Sequence, residues 1–155
     1  MIVEVVGAVV HDAAGRLLTV RKRGTSRFML PGGKREPGED DLTAPAREVC
    51  EELGVEVTAA SLLGDFEAQA ANEPGAIVRC RAFLVEIAGR IALQAEIEEL
   101  LWIDPAASPA APIAPLLVSQ ILPALPAEPR AMTARSRSPP SELPAAPSGR
   151  RPGGG

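Results

Sequence analysis

The sequence predicts an α+β domain in which a mixed β-sheet lies between helices. Three observations predict it. β-Rich runs recur at 2–10, 16–22 and 76–87, an amphipathic helical pattern interrupts them after residue 42, and an apolar helical stretch closes the pattern at 113–125. Strands with helices inserted among them bury their apolar faces as layers around one core. A chain of 155 residues fits one such domain and is long enough to bury a genuine core.

The elements follow in order. IVEVVGAVV at 2–10 and RLLTVRK at 16–22 are joined by HDAAG, with Gly15 available for positive φ, so the pair is expected to form a hairpin. Gly24 to Arg27 break the pattern, and Phe28-Met29-Leu30 reads as a short strand entering Pro31-Gly32-Gly33. Glu36-Pro37-Gly38-Glu39 is a second turn signal, which makes Pro31 to Glu39 an ordered loop. The helix comes next. Leu42, Ala46, Val49, Cys50 and Leu53 fall at i, i+4, i+7, i+8 and i+11, an apolar stripe for a core. Asp40, Asp41 or Thr43 can cap its start, and Gly54 suits its end. Pro45 costs about 3 kcal/mol in mid-helix but little in a first turn. A helix capped by Thr43, with Pro45 at its second position, resolves that conflict.

Beyond the helix, 55–67 contains apolar runs broken by Gly64, consistent with one or two strands, and 68–75 is a polar loop. AIVRCRAFLVEI at 76–87 alternates over Val78, Cys80, Ala82 and Leu84, which marks a strand. A last short strand is expected over Leu100 to Ile103, and a terminal helix over Ile113 to Leu125. Residues 1–126 therefore form the domain. From 127 to 155 the chain is Pro, Ala, Ser, Arg and Gly with almost no large apolar side chain. Such a composition cannot offset its ordering entropy, and a disordered tail is expected.

Charge narrows the function. Residues 1–126 carry eleven basic and eighteen acidic side chains, whereas 127–155 carry five arginines and two glutamates. An acidic domain argues against a nucleic-acid duplex as the main ligand. Two cysteines, Cys50 and Cys80, make no disulfide framework and read as buried apolar groups in a reducing compartment. No apolar run is long enough for a membrane span, and MIVEVV lacks the basic start of a signal peptide. A cytoplasmic protein is expected, with no membrane partner and with room for a homodimer.

Glu48, Glu51 and Glu52 are spaced by three and four, so they share one side of the helix. Concentrated carboxylates ask for a counter-charge, and hard oxygen donors select Mg²⁺, Mn²⁺ or Ca²⁺.

Gly33, Glu39, Arg47, Glu48, Val49, Glu51, Glu52, Gly54 and Val55 stand at the spacings of the Nudix box, and all nine specified positions agree. The stretch resembles that of MutT-like Nudix hydrolases, and FMLPGG at 28–33 is similar to the family's usual entry. The resemblance covers about residues 1–126. It implies the Nudix fold, an α/β/α sandwich, and a pyrophosphohydrolase acting with Mg²⁺ (or Mn²⁺) on a nucleoside diphosphate linked to a group X. By the same resemblance Glu48, Glu51 and Glu52 are metal ligands, joined by the Gly32 carbonyl. Arg47 orients the glutamates with Glu39 as its loop-side partner.

The attacking water needs a base. Glu48 is one candidate, and Glu96 and Glu99, in a Glu-x-x-Glu-x-x-Trp stretch ending at Trp102, are others; a solvated acidic turn is the competing reading. Gly33 and Lys34 of the loop are candidate substrate-binding residues. Alternation puts Arg21 and Arg23 on one face, where they could meet substrate phosphate, or else form a solvated basic edge. The chain has no tyrosine, so the tyrosine that marks dinucleoside polyphosphate hydrolases is missing. The proline typical of ADP-ribose hydrolases is replaced by Ala71. Both absences favour a small nucleotide substrate such as a (deoxy)nucleoside triphosphate, 8-oxo-dGTP included, over ADP-ribose or a nucleotide sugar. A non-catalytic nucleotide-binding module would be expected to lose box glutamates, and none is lost.

Overall fold

The computed structural model describes residues 1–70, 73–107 and 111–126. The expected disordered tail at 127–155 lies outside the described residues, as does Ala71.

Strand β1 (Ile2–Val9) lies inside a four-stranded sheet of order β3-β1-β5-β4. Its neighbours are β3 (Gly32–Lys34), antiparallel, and β5 (Ile77–Ala88), parallel; β4 (Glu56–Gln69) pairs antiparallel with β5. The sheet is therefore mixed. β1 suits its inner position because both faces are apolar: Val6, Ala8 and Val10 enter one core, and Val9 with Val5 enters the other. β5 does the same, with Phe83 and Val85 on one side and Cys80 and Ala82 on the other.

Helix α1 (Thr43–Leu53) packs Ala44, Val49 and Leu53 into the first core. Leu117 and Ile121 of the terminal helical segment enter the second core. The sheet thus lies between helices, as expected. The expected terminal helix differs in detail. Ile113 bridges Phe28 in parallel, and the turns that follow are α-helical at 115–116, π-helical over Leu117–Ile121 and α-helical again in α2 (Leu122–Ala124).

Three further expectations change. The first hairpin closes only at its base, where Leu18 N–H donates to the Val10 carbonyl at 2.9 Å and Gly15 has φ 82°. Beyond it β2 (Leu17–Lys22) leaves β1 and pairs antiparallel with β6 (Ile97–Ile103), because β1 already has a neighbour on each edge. Phe28-Met29-Leu30 makes only isolated bridges. The regular strand lies further on, at Gly32–Lys34, inside the stretch expected to be loop. Finally, β6 starts at Ile97, which carries Glu98 and Glu99 onto the ladder opposite β2.

The helix starts at Thr43, so Pro45 occupies its third position rather than its second. It is still in the first turn, where no intrahelical donor is lost. Asp40 does the capping: its Oδ1 accepts the N–H of Leu42 at 3.2 Å and of Thr43 at 2.8 Å. Gly54 ends the helix in the left-handed region at φ 69°. The apolar stripe is rotated from its expected position. Leu42 and Cys50 are exposed, and the buried side is Ala44, Pro45, Val49, Glu52 and Leu53. Cys50 is therefore not a core residue, while Cys80 is buried as expected.

Among the described residues no helix is long and apolar enough to cross a membrane.

Candidate active site

The start of β3 packs against β1 on one side and the middle of α1 on the other because Gly32 and Gly33 carry no side chains. Gly32 has φ 151°, and a Cβ there would stand 2.1 Å from the Val6 carbonyl oxygen. A Cβ on Gly33 would stand 2.6 Å from Glu48 Oε2. Glu48 therefore lies directly on the Gly33 backbone. Gly33→Ala is expected to fold, since the obstructed atom ends a flexible side chain, yet to lose about 10²-fold in turnover by displacing that carboxylate. Kinetics beside a thermal melt check this, and full activity in a folded variant would contradict the placement.

Glu52 occupies the buried side of the helix, with its side chain only 3% exposed. Its Oε1 accepts the Gly32 N–H at 3.1 Å. Burial pushes its pKa up to about 7, against the pull of Lys22 and that backbone N–H. Burial also raises Glu48, with Arg47 opposing. Glu51 points outward and is half-exposed. Helical spacing puts all three on one side, but the rotated stripe gives them three depths.

Arg47 ties this helix to the loop before it. Its Nε and Nη2 both donate to Glu39, the latter at 3.0 Å; Nη1 reaches Glu48 and Glu51, each at 3.2 Å; and Nη2 also reaches the Lys34 carbonyl at 3.1 Å. The bonds to Arg47 hold Glu39 below the usual carboxylate range, helped by the Glu36 N–H. On its far side the loop is held by Asp41, which pairs with Arg35 at 2.6 Å and with Arg81 of β5 at 2.9 Å. Arg81 also grips Asp65 through two bonds of 2.7 and 2.9 Å. Loop, helix and sheet are thus linked by guanidinium–carboxylate bonds, forked at Glu39 and at Asp65 and single at Asp41, a charge-assisted class stronger than neutral hydrogen bonds.

The basic strand end divides by alternation. Arg21 Nε donates to Glu99 at 2.8 Å, and its Nη2 lies 3.5 Å from Glu98. Arg23 is exposed, with its backbone N–H on the Glu96 carbonyl at 2.7 Å. Between them Lys22 turns the other way. Its Nζ lies 3.4 Å from the Gly32 carbonyl, 3.8 Å from Glu52 Oε2 and 3.4 Å from Glu96 Oε2. The structure therefore brings Gly32, Gly33, Lys34, Glu39, Arg47, Glu48, Glu51 and Glu52 together. Arg21 and Glu99 form a separate pair on the β2–β6 ladder. Lys22 is the residue that sequence reasoning passed over; its opposite phase to Arg21 and Arg23 was the one signal available.

An apolar pocket of about 220 Å³ opens beside this cluster, between the sheet and the terminal helical segment. Met29, Leu30, Val78, Leu117 and Ile121 line it, with Lys22, Gly32 and Gly33 at the end nearest the carboxylates and Gln69 and Glu73 among its few polar residues. None of Phe28, Phe66, Phe83 and Trp102 is among its lining residues.

Among the described residues no three His, Cys, Asp or Glu side chains converge on one point. The donors nonetheless suit a hard divalent cation. Glu48, Glu52 and the Gly32 carbonyl offer only oxygen, Glu52 is a buried carboxylate driven toward neutrality, and Gly33 leaves Glu48 room against the turn.

A family model described as "NUDIX domain" matches residues 1–122. The chain is similar to a MutT-like protein of Streptomyces ambofaciens, with 37% identity over 79 residues that make up 51% of each protein. It is also similar to diphosphoinositol polyphosphate phosphohydrolase 3-beta of Bos taurus, with 45% identity over 51 residues, 33% of this chain and 31% of that one. The chain spans about half, or less, of the length of these curated relatives. Among solved structures it resembles the E. coli ORF135 protein with a TM-score of 0.64 and 28% identity, over 79% of this chain and 87% of that one.

Proposed function

The chain belongs to the Nudix family, and on that premise we propose that it is a metal-dependent pyrophosphohydrolase of nucleoside diphosphates linked to a group X. Its preferred substrate is a (deoxy)nucleoside triphosphate, 8-oxo-dGTP among the candidates, cleaved to the monophosphate and pyrophosphate. The observation that carries this reading is the position of Glu48 and Glu52 against Gly33 and Gly32, two glycines that also line the apolar pocket. A phosphate chain laid along that turn would have the carboxylate cluster on one side and its organic end in the pocket.

Glu48, Glu52, Glu51 and the Gly32 carbonyl would hold the cation, Mg²⁺ or Mn²⁺. When bound, such an ion neutralises phosphate oxygens and lowers the pKa of water. The rest is the work of this chain's own groups. Arg47 fixes the loop and two of the glutamates, so that little reorganisation is needed when charge develops. Glu48, lodged against Gly33, is placed to take the proton of an attacking water, and Glu96, beside Lys22, is the second carboxylate for that role. Aliphatic side chains rather than stacked rings would clasp the base, with Gln69 and Glu73 available to hydrogen-bond it.

A panel of dGTP, 8-oxo-dGTP, ATP, ADP-ribose, nucleotide sugars and a diphosphoinositol polyphosphate, with Mg²⁺, tests the reading. The last compound is included because the bovine relative's name refers to a phosphoanhydride on a group that is not a nucleoside. Turnover of a triphosphate with release of pyrophosphate is the expected outcome. Tight nucleotide binding without turnover of anything on the panel would sink the enzymatic reading.

A further inference from the structure

We propose that Lys22 is a built-in counter-cation of the metal site, which yields its oxygens to the incoming metal and then serves the substrate's phosphate. This inference rests on the reading of Glu52 and Gly32 as cation ligands. One ammonium lies against both: Nζ is 3.4 Å from the Gly32 carbonyl and 3.8 Å from Glu52 Oε2. Two oxygens suited to a divalent cation are thus already facing a monovalent one. Glu52 is almost wholly enclosed, and a carboxylate at that depth is costly unless paired. Arg47 is committed elsewhere, to Glu39, Glu48, Glu51 and the Lys34 carbonyl. Lys22 is the cation that covers Glu52.

Its other partner shows where it can go. Glu96 Oε2, 3.4 Å away, belongs to a side chain 60% exposed, whereas that of Lys22 is 23% exposed. The lysine therefore reaches from the buried carboxylate toward solvent, and it lines the apolar pocket. A flexible four-carbon stem and a point charge suit exchange between partners in a way that a forked guanidinium does not. A divalent ion on Glu52 and Gly32 would repel the ammonium. Glu96 is the anion it already touches, and the proposed phosphate chain, running between pocket and turn, would offer it another. Lys22 would then trade one anion for another without leaving the site.

The exchange predicts an unusual sign. A lysine that packs or binds substrate at a distance from the metal's oxygens changes metal affinity little when its charge is removed, because water and salt screen it. A lysine on the ligands cuts the apparent affinity to the fraction of time it leaves them free, and its charge repels the metal besides. Lys22→Met keeps the stem and deletes the charge. In nucleotide-free protein, Mn²⁺ followed by calorimetry or by its paramagnetic resonance should bind Lys22→Met roughly ten-fold more tightly than wild type. Lys22→Arg, which retains a charge, should stay within about three-fold of wild type. For whichever nucleotide the panel identifies, Lys22→Met should also raise KM. Should Lys22→Met fold poorly, Lys22→Gln supplies the same comparison.

Mn²⁺ affinity in Lys22→Met equal to or weaker than wild type, or no Mn²⁺ binding by either protein, would overturn the proposal. The metal arm uses no substrate. Tighter Mn²⁺ binding with silence across the panel would refute the hydrolase reading and leave the counter-cation standing. Turnover with unchanged Mn²⁺ affinity would do the reverse.

Discussion

Glu52→Gln is expected to lower turnover by roughly 10²–10³-fold, the scale of losing one pre-organised charge-stabilising group, while making the metal-free protein more stable at pH 8. The two effects have one origin. Glutamine keeps an oxygen for the Gly32 N–H, now 3.1 Å from Glu52 Oε1, so the turn need not move. What disappears is a charge in an enclosed place. A variant that retained turnover and metal dependence would show that Glu52 holds no metal.

The stability effect has a defined pH window. Glu52 rises from 4.5 unfolded to about 7 folded, so the folded state binds the proton more tightly. Its contribution is fully favourable below pH 4.5 and is lost as pH climbs through 7. Over that range wild type forfeits up to about 3 kcal/mol relative to Glu52→Gln. His11 titrates in the same window with the opposite sign, because burial lowers its pKa, but it is common to both proteins and cancels in the difference. Melts from pH 4.5 to 8 in chelator should show the two curves diverging above pH 5. Mg²⁺ should restore wild type at pH 8 and do little for the variant. Parallel curves would mean that Glu52 is not held at raised pKa.

Gly32→Ala is expected to be the most destabilising single substitution at the site, by more than about 4 kcal/mol. The new Cβ would meet the Val6 carbonyl oxygen at 2.1 Å, and that atom is backbone in the middle of the sheet. Nothing there can rotate aside, and φ 151° already disfavours a side chain. The informative comparison is with its neighbour. Gly33→Ala should remain folded with turnover down about 10²-fold, whereas Gly32→Ala should be recovered mainly as insoluble chain. If both melt within about 1 kcal/mol of wild type, the close approach of the turn to β1 is incorrect.

Much of the fold could be read from residue pattern, and the limits of that reading have particular causes. The 76–87 strand could be recognised because Arg79 and Arg81, paired with Glu67 and Asp65 on one face, alternate with Val78, Cys80 and Ala82 on the core face. Gly54 marked the helix end because a left-handed residue was required there. β3 escaped notice because Gly-Gly-Lys has no β character of its own; its pairing with Val5–Gly7 is imposed by β1. The helix stripe was misplaced because Leu42 and Cys50 are apolar by type, while a buried glutamate cannot be recognised from type at all. Alternation separated Lys22 from Arg21 and Arg23, but it says nothing about which side faces the Gly32 turn. That depends on β2 leaving β1 for β6, a tertiary choice.

The parallel pairing of β1 with β5 joins Ile2 to Ile77 and Val9 to Leu84, and it governs when the site can exist. During synthesis every residue of the box is present in the chain once Val55 has been added. Yet β1, against which the Gly32 turn is pressed, has at that moment no neighbour on its other edge. The partner arrives some twenty to thirty residues later. Pairings between strands so distant in the chain form late and pay their loop-closure entropy first. The motif is therefore complete on the ribosome well before its geometry is. Until β5 closes beside β1, the glutamates stand on a helix with nothing fixed to press against.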